Sequence, residues 1–267
     1  MLCTLLNSFC SLNWIQERLS HQLSTIHPEL LLFLSKIKQL SVLEANTLSE
    51  NATVSGISIS RETEYETRND IDAESYVLYL SAHEHNEKVR TECTYYMWKQ
   101  RFPVKSENRV EGRKEIEELV ISLAFPHGER LKRGTSSARV YAFLSTEMIT
   151  NFPFIIQADF LLSPSTETII SNNKWNHGFL NCFPMAFNFA FSSLLKSIEE
   201  SPRSTIATVL DFLPIRASPF PELNIVRKTI RDELVKEHII PCESFSEKRA
   251  FGRPIEVGRL VPFVRSL

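Results

Sequence analysis

The hydrophobic positions of this chain change period twice. Near the start, His27-Pro28-Glu29-Leu30 puts a proline and an acid where a first helical turn begins. A missing N–H costs nothing there, and negative charge suits the helix dipole. Leu31, Leu34, Ile37 and Leu40 then recur at helical spacing, with Lys36 and Lys38 late in the element. Residues 1–45 are therefore expected to form an N-terminal helical segment. Beyond them the pattern turns to alternation. Val54 to Ser60, Tyr76 to Leu80, Cys93 to Trp98, Leu119 to Phe125, Arg139 to Leu144 and Phe154 to Phe160 each read as strands. Arg61 to Asp72 and His83 to Glu92 read as charged loops, without the apolar period of a crossover helix, so the sheet over residues 46–175 is expected to be largely antiparallel.

After Trp175 the helical period returns. Leu180, Phe183, Phe187, Phe191, Leu194 and Leu195 give the stretch Phe179 to Ile198 a broad apolar face, and Ser201-Pro202 breaks it. A shorter helix is expected from Thr205 to Phe212 and another from Glu222 to Glu237. The tail from Ile240 to Leu267 has no clean period. The third region, 176–267, is thus helical with an irregular end. Helix, sheet, then helices is the order of an α+β protein.

Composition narrows the chemistry. At 267 residues, 43% hydrophobic and 23% charged, the chain has the length of one large domain or two small ones. A net charge of −2 and a pI of about 6.4 give no global reason to expect a nucleic-acid partner. Cys3, Cys10, Cys93, Cys182 and Cys242 form no CxxC and are odd in number, which fits reduced thiols inside the cell. The start lacks a basic region ahead of its apolar residues, and the Asn51-Ala52-Thr53 sequon matters only in a secreted chain. The longest apolar run, Leu30 to Leu34, is far short of the roughly 20 residues that span a membrane. No membrane association is expected.

Few side chains carry chemistry. His83-Glu84-His85, with Glu87, Glu92 and Cys93 nearby, has metal-ligand types but no diagnostic spacing, so no metal is expected. No GxSxG elbow is present, and Cys182 among phenylalanines reads as a packing thiol. Asn176 and His177 read as residues that seat the following helix. Asp159 stands in an apolar strand and needs a hydrogen-bonding partner. Gly128 to Gly134 is locally basic through Arg130, Lys132 and Arg133. It reads as a solvated hairpin loop or as a contact for an anion or an acidic partner.

Three longer phrases resemble a known family: PELLLFLSKIKQLSV (28–42), NFPFIIQADFLL (151–162) and IIPCESF (239–245). Together with the stretch from Ile121 to Trp175, they resemble the region after the ATP-binding domain in sacsin-type and No Vein-type members of the GHKL ATPase superfamily. Those proteins are relatives of the ninety-kilodalton heat-shock chaperones. The resemblance implies a middle-domain-like α+β unit, a helical region after it, and a truncated or divergent relative of a much larger plant protein. In that family a Ser-Arg-Glu loop sends its arginine to the γ-phosphate of ATP. The matching phrase here is Ser165-Thr166-Glu167, followed by Lys174-Trp175-Asn176. A guanidinium is a permanently charged fork of donors, whereas a threonine offers one neutral hydroxyl. The chain also contains no GxG to cradle a phosphate.

The resemblance therefore implies a transducer without its motor: no catalytic residues, no cofactor, and a protein-interaction or scaffold role. The expected partner is a protein, with an intact family ATPase one candidate. The alternative is a transducer half that completes an ATPase in trans, with Lys174 or Arg133 supplying the missing cation. Location is expected to be cytoplasmic or nuclear, the nucleus by family analogy alone.

Overall fold

The computed structural model describes residues 27–34, 36–44, 55–68, 72–84, 91–130, 138–165, 167–197, 203–242 and 250–256. The fold is α+β. Eight strands form one sheet: β1 (Gln39–Glu44), β2 (Ser55–Arg68), β3 (Ala73–Glu84), β4 (Thr91–Pro103), β5 (Glu118–His127), β6 (Arg139–Ala142), β7 (Leu144–Ile149) and β8 (Ile155–Ala158). Their order is β1-β2-β3-β4-β5-β8-β6-β7. Antiparallel ladders join β1 to β2, β5 to β8 and β6 to β7, while β6 and β8 run parallel. Helices α1 (Lys174–Ser197), α2 (Arg203–Leu210) and α3 (Pro221–Leu234) follow, then a two-stranded ribbon of β9 (Ile240–Cys242) and β10 (Ala250–Gly252).

The chain divides into two compact units, and the division does not follow boundaries at 45 and 175. The first comprises Met1–Glu64, Val77–Tyr95 and Pro126–Ser136; the second comprises Tyr65–Tyr76, Tyr96–Phe125 and Ser137–Leu267. The helices thus share a unit with β6, β7 and β8.

In the first unit, the helix expected through Leu40 is only a five-residue 3-10 turn, Pro28–Leu32. Leu31 and Leu32 are buried, but Ile37, on the expected apolar face, is exposed. From Gln39 the chain pairs with β2 in the register Gln39↔Ser60 through Glu44↔Ser55. Short helices are marginal without packing, so six residues of ladder outweigh the helical period. The charged stretch after Arg61 is likewise strand as far as Arg68, because ladder bonds use backbone groups and do not exclude polar side chains. Leu78, Leu80, Ala82, Cys93 and Tyr95 join Leu31 and Leu32 among the buried positions of this unit, and the Ser60 and Ser81 hydroxyls meet at 2.8 Å.

The second unit is built on phenylalanine. Phe125 of β5 lies 5.3 Å from Phe154, 6.0 Å from Phe187 of α1 and 5.2 Å from Phe212, ring centre to ring centre. Phe187 also meets Phe154 at 4.9 Å and Phe191 at 5.5 Å, and Phe160 packs on Phe179 and Phe183. The recurrence at 179, 183, 187 and 191 is one face of α1, so the sequence period becomes the core. At Gly178 the helix passes so near Asn108 and Leu119 that an added Cβ would sit 3.0 Å from the leucine side chain. The β6–β7 turn holds Phe143 at a φ of +67°, a conformation that strains a bulky residue.

Arg101 of β4 binds Glu74 at 2.7 Å and Asp72 at 3.3 Å. The hydrogen bond from Arg101 holds the Glu74 carboxyl below its ordinary value, against a smaller opposing effect of partial burial, and Lys99 adds to the lowering. A depressed folded-state pKa contributes stability above the ordinary carboxylate value of about 4.3 and loses it as pH falls through the lowered value. Glu74→Gln is expected to flatten the acid-unfolding curve over that window; an unaltered curve in circular dichroism would remove Glu74 from the acid response.

Phe187→Ala is expected to cost about 3–5 kcal/mol in urea unfolding, because removing a buried ring that packs on Phe125, Phe154 and Phe191 leaves a cavity. Ile225→Ala, on the exposed face of α3, is expected to stay within about 0.5 kcal/mol of the parent.

Candidate functional site

Three places in the fold bear on function. The first is the loop that the family resemblance singles out, in the second unit. Leu162 bridges Ile169, the Ser163 N–H donates to the Thr168 carbonyl at 2.8 Å, and the Ile170 N–H donates to the Leu161 carbonyl at 3.0 Å. These bonds close a hairpin with Ser165 and Glu167 exposed at its tip; Thr166 lies outside the described residues. The hairpin is pinned to β7, whose Glu147 N–H donates to the Glu167 carbonyl at 2.8 Å.

The chain then enters α1 through Asn173, whose Oδ1 accepts from the Trp175 N–H at 2.9 Å, so Asn173 is the residue that caps the helix. Asn176 does the seating expected of it. Its buried amide accepts from the Leu161 N–H at 2.8 Å and donates to the Leu161 and Ile170 carbonyls. His177 Nε2 lies 2.5 Å from the Ser171 carbonyl oxygen. Asp159 finds its partner in Arg113, which forks onto both carboxylate oxygens and lies 4.9 Å over the Trp175 ring. The Trp175 indole N–H donates to the Asp159 carbonyl at 2.9 Å. Lys174 is left exposed at the start of α1, its carbonyl accepting from the Asn108 amide at 2.9 Å.

The second place, in the first unit, corrects an expectation. Arg130 is not presented to an anion from outside. Its Nε and Nη2 each donate at 2.6 Å to one oxygen of Glu29, a carboxylate only 1% exposed, and the Tyr95 hydroxyl donates to the same group at 2.7 Å. The guanidinium is committed to a buried fork. An acid inside the apolar run PELLL is the sequence signal for a buried, paired carboxylate rather than an exposed one serving a helix dipole. Lys132 and Arg133 lie outside the described residues. Burial pushes the neighbouring Cys93 thiol up, with the Tyr95 hydrogen bond opposing, and pushes the Tyr95 phenol up as well. Burial also raises the Cys182 thiol. His85 and Glu87 lie outside the described residues. Among the described ones no group of three or more His, Cys, Asp and Glu side chains is placed to hold a metal ion.

The third place is a groove of about 430 Å³ between α1 and α3, which composition did not foretell. Met185 and Phe189, 51% and 39% exposed, form its apolar part. The Asn188 amide donates to Glu233 at 2.5 Å across the groove, while its oxygen is buried without a partner. Lys196, Lys236 and Glu237 complete the rim. α1 is also long and apolar enough to cross a membrane by length and composition, although polar residues break up its apolar run. Yet 67% of its most apolar window is buried in the protein, as in a core helix.

No family model, curated protein or solved structure matches the chain.

Arg130→Met leaves the Glu29 carboxylate buried without its cation. The expected loss is about 3–5 kcal/mol of stability. Replacing both partners with apolar residues of similar volume is expected to restore most of it. Urea unfolding followed by circular dichroism checks both; a single variant as stable as the parent would show the fork to be dispensable.

Proposed function

We propose that the chain is a non-catalytic protein-interaction or scaffold module, related to the sacsin-type and No Vein-type branch of the GHKL ATPase superfamily and working in the cytoplasm or nucleus. The observation that carries this reading is the groove between α1 and α3. There a helix whose remaining faces fill the core leaves Met185 and Phe189 outward beside a charged rim. Apolar surface rimmed by polar groups is the common mark of a protein-binding site. The inward commitment of Arg130 gives further support, since it withdraws a phosphate-suited side chain of the basic loop. So does the threonine at position 166, where the family resemblance puts a phosphate-contacting arginine. On this reading the module needs no cofactor, and its partner is a protein.

The transducer reading has one observation in its favour, the exposure of Lys174 at the start of α1, just after the hairpin. It requires Lys174→Glu to lower the turnover of an intact family ATPase stimulated by this chain, and unchanged turnover rejects it.

The interaction reading is tested by adding ATP–Mg²⁺ to the full chain in calorimetry and thermal-shift assays. No binding is expected. A ligand present at 100 times its Kd adds about 2.7 kcal/mol of apparent stability, so a clear shift would overturn the reading.

A further inference from the structure

Independently of the interaction-module reading, we infer that His27 is a proton-operated clasp on the buried Glu29 carboxylate of the first unit. Neutral, it caps the turn Pro28–Leu32; protonated, it holds the carboxylate beside Arg130. The geometry at one nitrogen carries this. His27 Nδ1 lies 3.2 Å from the Glu29 backbone nitrogen, whose N–H donates to it, and 3.4 Å from Glu29 Oε2. A ring nitrogen can accept a hydrogen bond or carry a proton, never both at once. With the cap made, Nδ1 is bare and the neutral ring carries its proton on Nε2. A proton taken from water onto Nδ1 ends the cap and turns the same atom into a donor, with Oε2 the acceptor in reach.

The carboxylate has room for that donor. Its two oxygens offer about four acceptor positions. Oε1 accepts from Arg130 Nε and from the Tyr95 hydroxyl, whereas among the described residues Oε2 accepts from Arg130 Nη2 alone. The fourth position is open on a group 1% exposed, and the His27 ring beside it is itself only 13% exposed. The groups that face this carboxylate from other elements keep one charge state near neutral pH. Arg130, after β5, stays a cation. The Tyr95 phenol and the Cys93 thiol, both from β4, are pushed up by burial and stay protonated. Imidazole is the side chain whose ordinary pKa, about 6.5, falls in that range. At high pH the carboxylate thus rests on Arg130 as its cation. At low pH it rests on two, and the hold of the basic segment from Gly128 on the core ceases to be indispensable.

Nuclear magnetic resonance of the full chain is the test. At about pH 8 the His27 ring is expected as the Nε2–H tautomer, and on acidification the Glu29 amide resonance should move with the same midpoint as the ring. His27→Asn keeps an acceptor for the Glu29 N–H but takes up no proton. It should therefore abolish the amide shift while leaving the circular dichroism spectrum at about pH 8 unchanged. Arg130→Met makes the clasp visible in stability, because protonated His27 is then the cation left at the carboxylate. In that background His27→Asn should lower the urea midpoint at about pH 5.5 and leave it unaltered at about pH 8. Should Arg130→Met not fold, the amide titration of the parent decides alone. An Nδ1–H tautomer at the higher pH overturns the inference, as does a Glu29 amide that ignores the titration of His27. So do equal midpoints for the two Arg130→Met chains at the lower pH.

Discussion

The second unit depends on the burial of one face of α1. Phe179, Phe183, Phe187 and Phe191 project from consecutive turns and mesh with Phe125, Phe154 and Phe160. Once that face is fixed, the remaining placements follow. The start of the helix must sit where Asn176 can reach Leu161 and Ile170, which sets the base of the hairpin. The face that turns away from the aromatic cluster is bound to look outward, and it carries Met185 and Phe189. The groove is therefore a by-product of core geometry that a partner can use. Its one buried polar defect, the Asn188 oxygen, lies at the boundary between the two faces.

Arginine has a consistent role in both units. In one, Arg113 forks onto Asp159 and lies over Trp175; in the other, Arg130 forks onto Glu29. A planar, permanently charged fork suits a partly buried carboxylate as well as it suits a phosphate. Basic residues in a sequence can thus look available for anions when the fold has already paired them. Such pairs add little stability over apolar packing, but losing one partner leaves a costly lone charge.

The parts of the fold legible in the sequence were those where side-chain period and environment agree. The apolar period of α1 and the alternation of β3 and β4 are strong because each element buries a face, β5 reads as strand because it is apolar and buried almost throughout, and Pro221 marks the start of α3. The segment 28–40 misled because its leucines fit a helical period, whereas the decisive interaction is pairing with residues 55–60, remote in sequence. The charged run after Arg61 misled for the related reason that a ladder leaves no mark on side-chain polarity. β7 and the β9–β10 ribbon are short, and pairing rather than composition defines them. At the candidate sites, the need of Asp159 for a partner could be read in advance, though not that Arg113 would meet it. The groove could not be read, because it is made by two helices together.

The Glu29–Arg130 pair joins residues 101 positions apart, within a unit assembled from three separated stretches of chain. This has a consequence for synthesis on the ribosome. At about 5–20 residues per second, Glu29 is made about 5–20 s before Arg130. Through that interval the nascent chain carries a carboxylate with no cation and two leucines, Leu31 and Leu32, with part of their burial still unmade. The first unit thus cannot close until Arg130 has been made. In that window, holding chaperones have the most to protect.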